Sequence, residues 1–377
     1  MTFICVAISA FYLLFAMYQI NIFAMQKWTP PDVYPSVSIL KPICGLDVEL
    51  YENLCSFCNQ DYPEYQVVFG VTDPKDSAIP IIERVLKEFP YLDLKLVIDS
   101  RLYGSNPKVS NLINMYPYAK HDYLIMADSD MRVDSTYLSK IISPFKNPKI
   151  GAITCLYIGI PIGGIASQLG AMFINEWFLP CVLATNAIQK IKYCFGPTMG
   201  VRRDLLEKIG GFHKLSSYLA DDYILGKLVS ELGYQVYLVP YLVQDIIKES
   251  SLKSLFFHEL RWARTIYSVQ PVGHFFSIVS NVIPIALLFL IAAPSLSYGL
   301  IALSIILILR LLMHYVIQNK FRVNTRYADR FWLILFREIF SFIVWGISFF
   351  GREISWRHRT FSVKANNQLV FKETQNI

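Results

Sequence analysis

The chain predicts an α/β fold, a mainly parallel sheet interleaved with helices, carried on membrane helices at its two ends. Three observations predict it. Residues 2–25 carry no charged side chain and neither do residues 275–309, so each end holds a stretch long enough for a hydrocarbon core, which needs about 20 helical residues. Between them, short apolar runs alternate with helix-like stretches, the pattern of right-handed crossovers between parallel strands. Carboxylates stand at the ends of two of those runs, on the edge where open α/β sheets bind ligands.

Composition bounds the class. With 54% hydrophobic and 17% charged residues, the chain is more apolar than soluble proteins, whose charged share is nearer ~25%. Its seven cysteines are odd in number and form no spaced framework, as expected where thiols stay reduced. Cys55 and Cys58 have zinc-like spacing, but no second Cys or His pair is placed to complete four ligands, so they read as a helical pair facing a core. The net charge of +6 is modest. Basic residues gather late, at Arg310, Lys320, Arg322, Arg326, Arg330, Arg352, Arg357 and Arg359, where they suit anionic lipid head groups and not nucleic acid.

Four regions follow. Residues 1–26 form an N-terminal transmembrane anchor, uncleaved because it lacks a basic leading region and its apolar part is too long for a signal peptide. Lys27 follows the anchor and nothing positive precedes it, so the positive-inside rule puts the domain of residues 27–270 in the cytoplasm. Residues 271–350 are C-terminal membrane segments: a hairpin at about 275–317, broken by Pro284 and Pro294, and an apolar segment at 331–350. That segment contains Arg337 and Glu338, costly on a lipid-facing span, which favours a re-entrant or interfacial course. Residues 351–377 read as a basic cytoplasmic tail.

Within the polar domain, Val37 to Pro42 reads as a strand ended by proline, Glu49 to Asn59 as a helix, Tyr65 to Thr72 as a strand ending on Asp73, and Ser77 to Phe89 as a helix. Leu94 to Ile98 is a third strand. Asp122 to Ala127 is a fourth, a continuous apolar run as in strands covered on both faces, and it stops on Asp128-Ser129-Asp130. Lys41, Asp73 and the Asp128/Asp130 pair all fall at strand C-termini, so a parallel sheet brings them to one crevice. Two hard oxygen ligands there suit Mg²⁺ or Mn²⁺ on a diphosphate, although a solvated turn also ends strands on such residues. Asn106-Pro107-Lys108 opens a helix, where Lys108 either strengthens an anion site or is an exposed lysine on a capped helix.

Further along, residues 163–189 are apolar and form either an amphipathic helix lying on the membrane or a core helix. The loop Phe195 to Gly200 carries glycines that let backbone approach a ligand, Gly200 among them. Asp221-Asp222-Tyr223 opens a helix running to about Leu232; one acid can be its cap and the other can point into the crevice as a general base. His258, Arg261 and Trp262, spaced i, i+3, i+4, share a helix face, as a phosphate clamp beside an aromatic or as a membrane-surface helix with an interfacial Trp.

Taken together, these motifs resemble the ceramide glucosyltransferase group of glycosyltransferases, families 21 and 2, and especially the bacterial hopanoid-biosynthesis branch. Asp73, Asp128-Ser129-Asp130, Asp221-Asp222-Tyr223 and His258-Glu259-Leu260-Arg261-Trp262 stand in the order of that group's elements, with Asn106-Pro107-Lys108 similar to its Asn-Pro-Lys. His258 departs, standing where eukaryotic members and processive synthases have Gln or Arg. The resemblance implies a GT-A, Rossmann-like fold, a UDP-sugar donor, a divalent cation and inversion at the anomeric carbon, in an integral protein of a bacterial inner membrane.

It further implies roles. Asp128 and Asp130 hold the cation, and Asp73 meets the uracil or ribose side of the donor. Lys41, Lys108, Arg261 and Trp262 complete the donor site, and Asp222 is the base for a lipid hydroxyl. Asp221, His258 and Gly200 serve the acceptor or close the site. The donor is UDP-N-acetylglucosamine or UDP-glucose, and the acceptor a membrane lipid such as a hopanoid, ceramide or diacylglycerol. Two rival functions remain: a processive polysaccharide synthase, which needs a larger translocation channel, and a membrane transporter or scaffold, which keeps its ionisable groups among its membrane segments.

Overall fold

The computed structural model describes residues 2–30, 33–321, 330–351, 353–356, 359–363 and 367–371; of the late basic residues, Arg322, Arg326, Arg352 and Arg357 lie outside these. The first part of the chain runs α1 (Thr2–Met25), β1 (Val37–Ile43), α2 (Leu50–Cys58), β2 (Tyr65–Val71), α3 (Ile79–Glu88), β3 (Asp93–Ile98), α4 (Pro107–Met115), β4 (Tyr123–Ala127), β5 (Met131–Arg132) and α5 (Tyr137–Ile142). It continues with β6 (Ile150–Pro161), α6 (Ile165–Phe173), α7 (Leu179–Ile188), β7 (Thr198–Arg202), α8 (Arg203–Lys208), α9 (Asp221–Glu231) and β8 (Gln235–Ile247). Last come α10 (Leu252–Val269), α11 (Pro271–Phe276), α12 (Val282–Ala292), α13 (Leu296–Phe321), α14 (Leu333–Ser348), β9 (Glu353–Trp356), β10 (Arg359–Val363) and β11 (Leu369–Phe371). These elements gather into two compact units.

The first unit takes the described residues of Lys27–Tyr157, Ile191–Ile246 and Phe361–Ile377. Its sheet has the order β3-β2-β1-β4-β7-β6-β8-β5. The first four strands are parallel, as expected from the alternation of strands and helices. The sheet as a whole is mixed: β7 runs antiparallel to both β4 and β6, and β5 antiparallel to β8. An apolar run reports burial on both faces but says nothing of the neighbour's direction.

β1 runs through Pro42, which pairs with Gly70 of β2, instead of ending there. Pairing with β4 stops at Leu40, so the proline lies beyond the stretch held on both sides. Ile39, Val67, Phe69, Ile125 and Ala127 pack with Phe57, Ile82 and Tyr137 into one core, each large apolar side chain contributing about 1.5–3 kcal/mol.

A three-residue step carries the chain from β4 to β5, which the strand order places four positions away. Four Cα steps reach at most about 14 Å, whereas a flat sheet would separate those strands by about 19 Å. The sheet must therefore bend back toward the Asp128-Ser129-Asp130 triplet that makes the step.

The second unit is helical and takes the described residues of Met1–Gln26, Ile158–Lys190 and Ile247–Thr360. Ile4–Met25, Ile165–Ile188 and Leu296–Phe321 are each long and apolar enough to cross a membrane, and Pro271–Ser280 with Val282–Ala292 makes a bent pair. Connectivity restricts these. Residues 162–197 join β6 to β7, which pair with each other, so that stretch leaves and re-enters one side and crosses an even number of times. The one rod of α6 and α7, continuous through a π turn at Ile174–Phe178, then cannot be a single span, and the two sequence readings of a surface-lying or a buried helix remain.

The charges of the 331–350 segment are paired inside this unit. Both Arg337 terminal nitrogens donate to the Glu259 carboxylate, each at 2.6 Å. Glu338 accepts from Arg310 Nε at 2.7 Å, and Arg310 also donates to Glu176, at 3.0 Å. Glu176 further meets His314 Nδ1 at 2.7 Å. Segment 331–350 thus holds helix α14, whose two charges face protein partners and not lipid.

Candidate functional site

The site is built on the triplet after β4. Lys41, in the middle of β1, is fully buried and its Nζ donates to the Asp128 carbonyl oxygen at 2.7 Å while lying 3.5 Å from the Phe57 ring centroid. Burial pulls its pKa down to about 7 against the pull of Asp130 and Asp128. A donor ligand was expected of Lys41; the structure makes it a pin that fixes the backbone of the triplet. Ser129 Oγ donates to Asp47, and Asp130 is held by the backbone bond from Ile246 N to its carbonyl, 3.0 Å. Burial, then the charges of Asp128 and Asp47, push the Asp130 carboxyl up to about 7.

Lys108 joins this group from α4. Asn106 caps that helix by accepting from Val109 N at 3.1 Å, and its amide donates to the Tyr218 carbonyl at 2.8 Å and to Asp221 at 3.2 Å. One asparagine therefore ties the start of α4 to the start of α9. Lys108 Nζ sits 2.5 Å from Asp128 Oδ1. Burial works against its charge, but Asp128, Asp221 and Asp222 outweigh it and hold the ammonium above the usual lysine range. It is not an exposed lysine.

Neither acid of the Asp221-Asp222 pair is a helix cap: the cap position is Ala220, with no side-chain hydrogen bond. Asp222 instead accepts from Tyr223 N at 2.8 Å. Burial, then the Asp221 charge, raise its pKa to about 7, and burial also raises Asp221, whose Oδ2 is buried without a hydrogen-bond partner among the described residues. The loop before β7 closes the group. A Cβ on Gly196 would lie 3.3 Å from Asp222 Oδ2, 3.6 Å from Lys108 Nζ and 3.7 Å from Asp128 Oδ2. Three charged groups from three distant parts of the chain thus meet at a glycine.

Gly200 plays a different part from the acceptor or closing role expected of it. It lies within β7, paired with Ile125 and Ile153, and a Cβ there would stand 2.6 Å from a carbon of each. It is a packing glycine inside the sheet. The segment from Thr198 onward is strand and not loop. Asp73 stands exposed past the end of β2, accepting from Lys75 N at 2.8 Å, and no hydrogen bond or ion pair among the described residues joins it to the triplet.

His258, Arg261 and Trp262 belong to α10 of the helical unit. His258 Nδ1 lies 2.7 Å from Glu249, which also accepts from Ser254 Oγ at 2.7 Å. The Trp262 ring packs 4.2 Å from the His258 ring and stacks on Phe173 at 5.7 Å.

Three residues at the site escape a reading of the sequence. Asp47 follows β1 in a loop with no motif around it. Asp245 pairs with Met131 across β8 and β5, and Tyr157 on β6 has its phenol pKa raised by burial and then by Asp245, Asp222, Asp128 and Asp130. An aromatic in a strand carries no signal of which carboxylates will surround it.

The donor set fits a hard divalent cation. Among the described residues no three His, Cys, Asp or Glu side chains form a metal cluster. Asp128 and Asp130 nevertheless offer two carboxylates, and Asp130 Oδ1 is buried with no hydrogen-bond partner among the described residues. Two carboxylates suit an ion such as Mg²⁺ that completes its octahedron with phosphate oxygens and water.

Comparison with known proteins bears on the family and the fold. The family model described as glycosyl transferase family 21 matches residues 1–369. Ceramide glucosyltransferase 3 of Caenorhabditis elegans is 26% identical over 384 aligned residues, covering 97% of this chain and 82% of its own. The ceramide glucosyltransferase of Candida albicans is 36% identical over 124 residues, 29% of this chain and 23% of that protein. Among solved structures, a mannosyltransferase from Pyrobaculum calidifontis in complex with GDP-Man and Mn²⁺ superposes with a TM-score of 0.56 at 14% identity, covering 93% of this chain and 99% of that one. At that identity the likeness concerns the fold, which is the GT-A glycosyltransferase arrangement.

Proposed function

Because the chain belongs to glycosyl transferase family 21, we propose that it is a membrane-bound inverting transferase that moves a sugar from a UDP-sugar to the hydroxyl of a membrane lipid. The observation that carries this reading is the meeting of Lys108, Asp128 and Asp222 at Gly196. It supports the reading because an ammonium suits a diphosphate, while the two carboxylates beside it are of the kind that would hold a cation and take a proton.

In the reaction, Asp222 accepts the proton of the lipid hydroxyl as that oxygen attacks the anomeric carbon, and the bond to the UDP oxygen breaks on the opposite face. A buried carboxylate with a pKa near 7 is matched to this task at neutral pH. Lys108 balances charge on the leaving diphosphate. Asp128 and Asp130 would hold the divalent cation, which when bound neutralises the departing UDP. The direct displacement forms no glycosyl-enzyme, so no second nucleophile is required.

Asp73 is assigned the nucleoside side of the donor, and Arg261 and Trp262 the diphosphate, the guanidinium being suited to bidentate phosphate contact. UDP-N-acetylglucosamine and UDP-glucose are the donors proposed, and hopanoid, ceramide or a similar lipid the acceptor. The sheet-bearing unit is assigned to the cytoplasmic face of a bacterial inner membrane. Incubating membrane-embedded protein with labelled UDP-sugars and native lipid extract, then weighing the products by mass spectrometry, tests the reading. A glycolipid lengthened by one sugar supports it. A polymer product would point to a processive synthase, and absence of transfer to any lipid would sink the transferase reading.

A further inference from the structure

Within the stretch expected to be a tail, residues 359–363 and 369–371 form strands. β10 pairs antiparallel with β11, placing Phe361 opposite Phe371 and Ser362 opposite Val370. Before β11, Gln368 bridges Tyr218, Leu219 N donates to the Asn367 carbonyl at 3.1 Å, and Leu369 N donates to the Ser217 carbonyl at 2.8 Å. The Leu369 carbonyl in turn accepts from Ser105 Oγ, also at 2.8 Å. Asn367, Leu369 and Phe361 are buried.

These bonds fall on two loops. Ser105 immediately precedes Asn106-Pro107-Lys108, and Ser217 to Leu219 are separated from Asp221 and Asp222 by Ala220 alone. The loops also touch directly, Asn106 N donating to the Ser216 carbonyl at 2.8 Å. We propose that residues 361–363 and 367–371 are a positioning clasp for the transfer site: these two paired strands, joined by backbone bonds to one loop and by the Ser105 hydroxyl to the other, set the ammonium of Lys108 against the carboxylates of Asp221 and Asp222. The clasp acts through those residues and does not itself touch substrate. Catalysis depends on such placement, and a misplacement of about 1 Å can cost on the order of 10²-fold in rate.

The proposal rests on the transferase reading for its kinetic arm alone. Three variants of the full membrane protein test it: Leu369→Pro, which deletes the N–H that Ser217 accepts; Ser105→Ala, which deletes one side-chain bond; and a chain ending at residue 360. Expected are falls in kcat of about 10-fold for Ser105→Ala and about 10²-fold for the other two, with monodisperse protein in detergent. A synthetic peptide of residues 361–371 should restore turnover to the shortened chain, which a general loss of folding would not permit. Hydrogen exchange gives a readout independent of activity: Leu369→Pro should speed exchange at residues 103–108 and 217–222 and leave β2 unchanged. Wild-type kcat in the shortened chain, or unchanged exchange in both loops, overturns the clasp. A wild-type protein that transfers no sugar overturns the functional reading instead, and the exchange result still decides the clasp.

Discussion

Lys108 Nζ stands 2.5 Å from Asp128 Oδ1, and it comes from a helix whose cap, Asn106, also holds Asp221. One helix start therefore couples the carboxylate assigned to the cation with Asp221, the neighbour of the carboxylate assigned to the proton. Replacing Lys108 with Met should weaken UDP binding by about 10–100-fold, as expected when a charge-assisted contact to phosphate is lost. Calorimetric titration with UDP and Mn²⁺ measures it, and an unchanged Kd would remove Lys108 from the donor site.

Asp222→Asn should lower kcat by about 10²–10⁴-fold, the usual worth of a positioned base, while UDP affinity stays within a few-fold of wild type. The reverse pattern, weak UDP binding with residual transfer, would reassign Asp222 to the donor.

The same group fixes the sign of the pH dependence. Its pKa of about 7 in the folded protein lies above the ordinary aspartate value near 4. As a base it works only when ionised, so kcat/KM should fall as pH drops below about 7, and Asp222→Asn should abolish that acid limb. For stability the raised value works the other way. The contribution of the neutral carboxyl is fully present below about pH 4 and is lost as pH rises toward 7. Unfolding of Asp222→Asn across that range should lack this loss.

Two glycines four positions apart in the chain, Gly196 and Gly200, separate function from packing. Gly196→Ala places a methyl 3.3 Å from Asp222 Oδ2, against the tips of charged side chains, so activity should drop by at least about 10-fold with a stability change under about 1 kcal/mol. Gly200→Ala places it 2.6 Å from the side chains of Ile125 and Ile153, an overpacking that should cost about 1–3 kcal/mol. Thermal unfolding beside turnover distinguishes them; equal loss of stability in both would refute the division.

In the helical unit, Arg337 and Glu259 are almost fully buried and share two hydrogen bonds. Arg337→Met alone should destabilise by about 3–5 kcal/mol, because it strands a buried carboxylate. Adding Glu259→Leu should recover most of that loss. A double variant no more stable than the single one would show that the pair does more than cancel charge.

Much of the site was legible because its signals are local. The apolar run of β4 ending on Asp128 and Asp130, the Asn-Pro-Lys cap of α4 and the acidic start of α9 are each set by a few neighbouring residues, and each lies where expected. Lys41 was legible as a site residue but not as a buried pin, since a lysine in a strand does not announce which carbonyl it will meet. One acid of the Asp221-Asp222 pair was expected to cap α9 and the other to face the crevice; the structure gives the cap position to Ala220, so neither carboxylate caps the helix.

The sequence by itself determined the α/β class, the apolar helices and where the candidate acids and lysine fall on their elements, because hydrophobic periodicity, capping and turn chemistry act over a few residues. Only the tertiary structure decided the antiparallel half of the sheet, the choice of Gly196 over Gly200, the pairing of Arg337 with Glu259, and the return of residues 367–369 to the loops around Lys108 and Asp222. Those are pairings between distant segments. Their partners are selected by which surfaces and backbone groups remain to be buried and satisfied once the local elements exist.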